Sequence, residues 1–264
     1  MGAAFYLLFC LIGFGASVVG AICGIGGGVI IKPLLDAFHV LPVETISFLS
    51  GCTVLAMSAY SVLAARRRGR SQVNETVGIP LALGAAVGGL LGKLLFHTVA
   101  SLFSNADMVG AVQAACLFVI TFGTLIYTVK KQSIATRQVK NRAVCLLIGL
   151  LLGLMSSFLG IGGGPINLVV LYYFFSMGTK EAAQNSLYII LYSQLASLLQ
   201  SLVTGSIPSF PLLLLLVMVL GGLLGGKLGR KINEGIADET VSKLFIGLML
   251  VIMGINLYNI YQFV

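Results

Sequence analysis

The chain has 264 residues, of which 58% are hydrophobic and 9% are charged. A soluble globular domain is excluded, because a chain of this length could not bury so much apolar surface. The net charge of +8 does not indicate nucleic-acid binding, since the Lys and Arg residues form short clusters between apolar runs, as in cytoplasmic loops of membrane proteins. We therefore predict an all-α, polytopic helical membrane protein whose surroundings are the lipid bilayer.

In chain order, apolar runs of about 20 residues predict long helices, because that length crosses the hydrocarbon layer. The runs lie near residues 4–23, 43–65, 76–98, 108–129, 143–159, 182–204, 211–229 and 241–263. Two further apolar runs are too short for ordinary spans, at 29–38 and 165–177. We predict that these two form half-helices or re-entrant segments.

Each short run follows a glycine cluster. The first cluster is Gly24-Ile25-Gly26-Gly27-Gly28, and the second is Gly160-Ile161-Gly162-Gly163-Gly164. Adjacent glycines interrupt a helix, and non-helical backbone at membrane depth is tolerated only where it is buried in protein or lines a cavity. Such paired breaks are typical of the centre of a transporter.

Three signals recur in the same order in the two halves of the chain. Besides the glycine clusters, Gly123 and Tyr127 correspond to Gly254 and Tyr258, and the motif Gly-Gly-Leu-Leu-Gly occurs twice. Recurrence of this kind predicts an internal duplication. We divide the chain into a first transmembrane repeat over 1–131, a cytoplasmic linker over 132–142 and a second transmembrane repeat over 143–264.

The basic clusters favour one of two topologies. If each glycine cluster lies within one broken span, the repeats are parallel and the basic residues of 227–243 face outside, against the positive-inside rule. If each cluster turns the chain back, the repeats are inverted. Arg66–Arg70, the linker, Lys180 and 227–243 then face the cytoplasm, and the loops 97–107 and 204–210 face outside together with both termini. We favour the inverted arrangement and leave the parallel one open.

A Gly-x-Gly-Gly-Gly cluster permits three interpretations. Nucleotide binding is disfavoured, because neither cluster follows a strand or carries the Lys-Ser/Thr of a phosphate-binding loop. Close helix packing accounts for the glycines spaced by four, which are Gly84, Gly88, Gly92, Gly221, Gly225 and Gly229. For the clusters themselves we favour an anion cradle, because their N–H groups precede helix N-termini, which attract negative charge. The predicted cradle residues are Gly26, Gly27, Gly28, Gly162, Gly163 and Gly164.

Three polar residues of the sixth long run are further candidates for substrate contact. Asn185 and Tyr188 share one helical face, and Ser186 lies beside them near the second short run. Their amide and hydroxyl groups could complete the shell of an oxyanion. The alternative is that they bond neighbouring helices, as polar side chains in membranes do.

Charged residues within the apolar runs are few. Lys32 is a predicted substrate contact, because it lies one turn past the first glycine cluster and a cation inside the membrane usually has a role. Lys93 and Lys227 lie nearer the ends of their runs, so we expect them to extend to the interface. The acidic residues are expected at or beyond helix ends, and the sequence predicts no metal site.

As an ordered, duplicated set, these motifs resemble the sulfite exporter TauE/SafE family of bacterial membrane permeases. The resemblance covers essentially the whole chain. It rests on the two glycine clusters, on Lys32-Pro33-Leu34-Leu35, on the acids Glu44 and Glu181 that start the following spans, and on the Gly-Gly-Leu-Leu-Gly pairs. The family usually shows an acid, then Ala, then a Thr-Ser pair in the second half. Here Asn185 stands in place of the Thr, and the first half lacks the pair.

The resemblance implies a secondary transporter that exports small sulfur-containing anions such as sulfite, sulfoacetate or related organosulfonates. It also implies a multi-pass protein of the bacterial inner (plasma) membrane. The departures from the family pattern leave the substrate open, because they fall where a side chain could contact it.

The residues leave other functions open. The runner-up within transport is a permease for another small anion or a metal ion, which the lack of mid-membrane carboxylates and thiol pairs disfavours. A non-transporting membrane subunit would not need two matched backbone breaks. A membrane-embedded enzyme would need acid and base groups within the membrane, whereas His39 and His97 are isolated near span ends. We expect no enzymatic activity, no cofactor and a small anionic substrate, and a homodimer stays open.

Overall fold

The computed structural model describes residues 2–103 and 106–263, and this part of the chain is helical with no strand. The helices are α1 (Ala3–Cys23), α2 (Gly28–Phe38), α3 (Val43–Arg67), α4 (Glu75–Leu102), α5 (Ala106–Lys130), α6 (Arg142–Phe158), α7 (Pro165–Phe175), α8 (Thr179–Val203), α9 (Leu212–Gly235) and α10 (Asp238–Phe263). A short 3-10 helix, Lys131–Ser133, follows α5. The predicted loop 97–107 includes residues 104 and 105, which lie outside the described residues.

Seven of the described helices are long and apolar enough to cross a membrane, namely α1, α3, α4, α5, α8, α9 and α10. The prediction of an all-helical, multi-pass membrane protein is confirmed. Helix α6, predicted as a full span, has 17 residues, and α2 and α7 have 11 each.

Local sequence fixes several helix starts. The Asn74 side chain accepts a hydrogen bond from the Thr76 N–H, and Asn141 accepts from Ala143 and Val144, so both cap free N–H groups at the starts of α4 and α6. Pro165 occupies the first turn of α7, where its missing N–H costs no hydrogen bond.

The two halves of the chain have the same order of elements: a helix that ends at a glycine cluster, a helix of 11 residues, then three long helices. The most extensive packing joins α1 to α9 and α4 to α6, across the halves. The glycines spaced by four lie in these contacts, as predicted. A Cβ at Gly84, Gly88 or Gly92 would overlap a carbonyl of α6, and one at Gly221, Gly225 or Gly229 would crowd or overlap a carbonyl of α1. Small residues let the backbones approach.

Helix directions follow from these contacts. Along α9, Gly221, Gly225 and Gly229 meet carbonyls progressively later in α1, so the two helices run in the same direction, and the order of contacts shows the same for α4 and α6. At the end of this pair the Asn233 amide donates to the Ile22 carbonyl. There Glu234 also forms an ion pair with Arg70, beyond the end of α3.

We call this end of the molecule, formed by Arg66–Arg70, Lys180 and Arg230–Glu234, the basic end. Helices α1 and α3 both run toward it, so α2 returns between them. At the opposite end Phe48 packs against Phe210, and His39 packs against Phe263. The basic residues predicted to face the cytoplasm in 66–70 and at 230 therefore lie together, away from the loop 204–210.

Candidate functional site

The two glycine clusters meet in the buried centre of the protein. A Cβ placed at Gly28 would overlap the Ile161 carbonyl, and one at Gly26 would lie 3.6 Å from the Gly162 carbonyl oxygen. Several of these glycines have left-handed backbone, with φ of +77° at Gly26, +69° at Gly162 and +130° at Gly163. L-residues rarely adopt such angles, so both the turn and the close approach need glycine.

The N–H groups of the six predicted cradle glycines have no hydrogen-bond acceptor among the described residues. In the first cluster, for example, Ile25 and Ile30 donate to carbonyls whereas the glycines between them do not. Buried N–H groups are normally paired, so these groups are available to a ligand. The clusters pack closely, however, and none of the six lines the cavities that lie at the two ends of the described part of the chain.

Polar side chains that the sequence analysis missed surround the clusters. The Ser17 and Ser50 hydroxyl oxygens lie 3.0 Å and 2.9 Å from where a Cβ would stand at Gly27 and Gly28. The Asn167 amide nitrogen lies 3.5 Å from the corresponding position at Gly163. These side chains are fully or almost fully buried, and within the described part of the chain their polar atoms have no partner. Ser and Asn within apolar runs were the available signal.

The predicted polar residues of α8 have different surroundings. Asn185 is buried and donates to the carbonyls of Gln72, at 3.2 Å, and Glu181, at 2.9 Å, so it ties the loop between α3 and α4 to α8. The Tyr188 hydroxyl bonds that of Tyr192. The Ser186 hydroxyl is buried and lacks a partner among the described residues. None of the predicted three lines either of those two cavities of the described residues.

Lys32 is buried but is not a free cation. Its ammonium lies 2.5 Å from Asp36 Oδ2, and the two side chains are 3% and 5% exposed. Asp36, expected at or beyond a helix end, lies in the last turn of α2, one turn after Lys32, where the spacing brings the charges together. The pair is neutral overall, which corrects the expectation that Lys32 adds an uncompensated positive charge at the site.

Lys93 also differs from expectation. Its side chain is 7% exposed and forms no ion pair with the residues described, and its ammonium lies 5.4 Å from the centre of the Phe96 ring. The prediction that it extends to the interface is wrong, because α4 continues to Leu102, beyond the predicted end of the span. Lys227 is exposed, as expected.

A cavity of about 460 Å³ opens at the basic end, and we call it the Arg230 cavity. Its polar lining includes Arg70, Lys180, Arg230 and Glu234. Arg230 lies 2.8 Å and Arg70 lies 3.2 Å from carboxylate oxygens of Glu234, so one acid is shared and positive charge is in excess. The volume is within the range of small-molecule sites.

The Arg230 cavity ends near the first glycine cluster. Ala21, at the end of α1, and Ala183, on α8, both line it. A Cβ at Gly24 would overlap Ala183, so Ala183 separates the cavity from the cluster. The arrangement can therefore attract a small anion from the basic end to a place that Ala183 separates from the glycine centre.

Comparison with known proteins gives one match. The profile of the family described as sulfite exporter TauE/SafE matches residues 9–257, nearly the whole chain. Searches of the curated proteins and of the solved structures find no significant match.

Proposed function

Because the chain belongs to the sulfite exporter TauE/SafE family, a family of membrane transporters, we propose that it exports small sulfur-containing anions. Sulfite, sulfoacetate and related organosulfonates are the proposed substrates, and the bacterial plasma membrane is the proposed location. The observation that carries this proposal beyond the family is the Arg230 cavity, where Arg70, Lys180 and Arg230 line the wall and Glu234, paired with Arg70 and Arg230, is the acid of that lining. Cationic walls raise the local concentration of an anion before it binds.

The proposed architecture is a pair of inverted repeats, 1–131 and 143–264, joined by a cytoplasmic linker, 132–142. Three features support it: the common order of helices, the common glycine breaks, and the crossed packing of α1 on α9 and α4 on α6. In such transporters the substrate site lies at the repeat interface near the midplane, where half-helix N-termini point at anionic groups. The place where the two glycine clusters meet is the proposed substrate site of this chain.

The topology has a direct test. Single cysteines at Arg67 and Ser209, both exposed, are labelled with a membrane-impermeant reagent in intact cells. The inverted arrangement predicts labelling of Ser209→Cys alone, because Arg67 faces the cytoplasm. Equal labelling of the two positions would support the parallel arrangement instead.

Recognition is proposed to occur in two stages. The anion enters the Arg230 cavity and then contacts the free N–H groups of the two glycine clusters and the hydroxyls of Ser17, Ser50 and Ser186. Hydrogen bonds to a charged group contribute about 1.5–3 kcal/mol each, so a few such contacts replace the water that the anion loses. Asn185 holds the loop beside the entrance, and the paired Lys32 stabilises α2.

A binding measurement tests the proposal. Purified protein is heated with sodium sulfite, sulfoacetate or chloride at equal ionic strength. A ligand at a hundredfold its dissociation constant stabilises the folded state by about 2.7 kcal/mol, so the unfolding temperature should rise with a sulfur anion and stay constant with chloride. Identical unfolding temperatures in all three salts would contradict the proposed substrate class.

A further inference from the structure

A second cavity, of about 40 Å³, lies at the end of the molecule opposite the basic end, and we call it the Lys93 cavity. It is enclosed by α3, α4, α8 and the second glycine cluster. Its polar lining includes Ser47, Cys52, Lys93, Ser157 and Gln194, and Gly160 forms part of its wall.

The Lys93 cavity contains a cation that no acid contacts directly among the described residues, although Glu44 lies near enough to interact with its charge. Lys93 forms no ion pair with any described residue although its side chain is 7% exposed. The hydroxyls of Ser47 and Ser157 are buried without a hydrogen-bond partner in the described part of the chain. A buried charge and buried donors are costly unless paired, so this set of groups fits an anion.

Contacts relate the Lys93 cavity to the Arg230 cavity. The glycine that starts each cluster packs against the long helix that follows the other cluster, with Gly160 against Ser47 of α3 and Gly24 against Ala183 of α8. The α4–α6 and α1–α9 contacts match in the same way, with Gly92 against Leu154 and Gly229 against Val18.

These contacts make Lys93, next after Gly92, the counterpart of Arg230, next after Gly229. The correspondence holds around both cavities. Ser47, Ser157 and Gly160 line or border one cavity where Ala183, Ala21 and Gly24 line or border the other. Aligning the two Gly-Gly-Leu-Leu-Gly motifs in the sequence pairs Gly88 with Gly221. The helix contacts instead pair Gly88 with Gly225, four residues later, so the sequence motifs alone do not match Lys93 with Arg230.

We propose that the Lys93 cavity is an outward-facing binding site for a small oxyanion, the counterpart of the Arg230 cavity and contracted in this structure. Lys93 supplies the positive charge, and Ser47 and Ser157 donate hydrogen bonds to the anion oxygens. The proposal rests on the proposed function, because the anion that leaves the glycine centre must pass this site to reach the outer side.

The volumes of the two cavities correspond to one conformation of the proposed transporter, open at the basic end. At about 460 Å³ the Arg230 cavity holds a sulfite-sized anion with its water, whereas a cavity of about 40 Å³ holds little more than one water molecule. In transporters with inverted repeats, each repeat can adopt the conformation of the other. The conformation with a wide Lys93 cavity is then the one with a contracted Arg230 cavity.

Exchange of radiolabelled sulfite by the full chain in proteoliposomes tests the role of Lys93. Lys93→Gln should slow exchange about 10- to 100-fold, the loss of one charge-assisted contact. Lys93→Arg should restore most of the rate, whereas loss of packing alone would not be repaired by the larger side chain. Lys227→Gln, which removes an exposed lysine of α9, is the matched control and should exchange at the wild-type rate.

Cys52 gives a second readout that does not depend on transport. With the cysteines at 10, 23, 116 and 145 replaced by Ala, an impermeant thiol reagent added outside reports on this cavity alone. Because sulfite also consumes thiol reagents in solution, modification rates are compared at equal free reagent. Sulfite should then slow Cys52 modification when Lys93 is present and have no effect in Lys93→Gln.

The two readouts separate the two proposals. Wild-type exchange in Lys93→Gln together with sulfite-insensitive Cys52 would overturn the Lys93 site and leave the proposed function standing. If the unaltered chain exchanges no sulfite, the proposed function fails. The Lys93 site then stands if sulfite still protects Cys52 and falls if it does not.

Discussion

The Arg230 and Lys93 cavities occupy corresponding places in the two halves but differ in size and in charge balance. Arg230 shares Glu234 with Arg70 in a wide, open cavity, whereas Lys93 has no acid partner among the described residues and lies in a narrow one. Arg230 is ion-paired without a ligand, whereas no acid contacts Lys93 directly among the described residues. An arriving anion would therefore stabilise the Lys93 cavity more than the Arg230 cavity.

The largest effect is expected at the glycine clusters. Gly28→Ala places a methyl group against the Ile161 carbonyl of the other half, so the two backbones must separate. Gly163→Val places a branched side chain at φ +130°, which strains the backbone, and against the Ile190 side chain, which must move. Overpacking typically costs about 1–3 kcal/mol. We expect both variants to lose sulfite binding in the thermal-shift measurement.

Gly247→Ala on α10 is the control for this prediction, since a Cβ there meets no atom within 4 Å. It should bind as wild type does. If Gly28→Ala or Gly163→Val also bound sulfite normally, the glycine centre would have no part in recognition.

The next largest effect is expected for the buried ion pair of α2, which is present only in the first half of the chain. Removing either member of the buried Lys32–Asp36 pair leaves an uncompensated charge, at a cost of about 3–5 kcal/mol. Lys32→Gln and Asp36→Asn should each lower the unfolding temperature strongly, and the double variant should recover most of the loss. Thermal unfolding of the purified proteins measures this.

The exposed Glu239–Lys243 pair is the matched control, because both side chains are more than 70% exposed and solvent screens their attraction. Lys243→Gln should leave the unfolding temperature nearly unchanged. A stable Lys32→Gln protein with weakened sulfite affinity would instead return Lys32 to the substrate site.

A smaller effect is expected at the open cavity. Arg230→Gln removes a half-buried cation that is already shared with Glu234, so affinity for sulfite should fall about tenfold, less than for a desolvated contact. Calorimetric titration measures it, with the exposed Lys231→Gln as control. Equal affinities for the two variants would show that the Arg230 cavity does not select anions.

The sequence was sufficient to predict the helices and the buried breaks at the glycine clusters. Apolar runs of about 20 residues form helices that cross the membrane, and backbone interrupted by adjacent glycines must be buried in protein. Side-chain environments were harder. The spacing of Lys32 and Asp36 on α2 was available as a signal for the ion pair. The burial of Lys93 had no such signal, because its apolar run predicts a span that ends near residue 98, whereas α4 continues to Leu102. Which of many serines face the glycine centre depends on helix rotation, which one sequence does not determine.

The most direct test of the account is transport itself. Proteoliposomes that contain the full chain are loaded with sodium sulfite, and the sulfite released to the outside is followed over time beside protein-free liposomes and beside Gly163→Val. We predict release by the unaltered chain that external sulfoacetate inhibits and that Gly163→Val abolishes. Release at the protein-free rate for the unaltered chain would contradict the central claim that it moves small sulfur-containing anions.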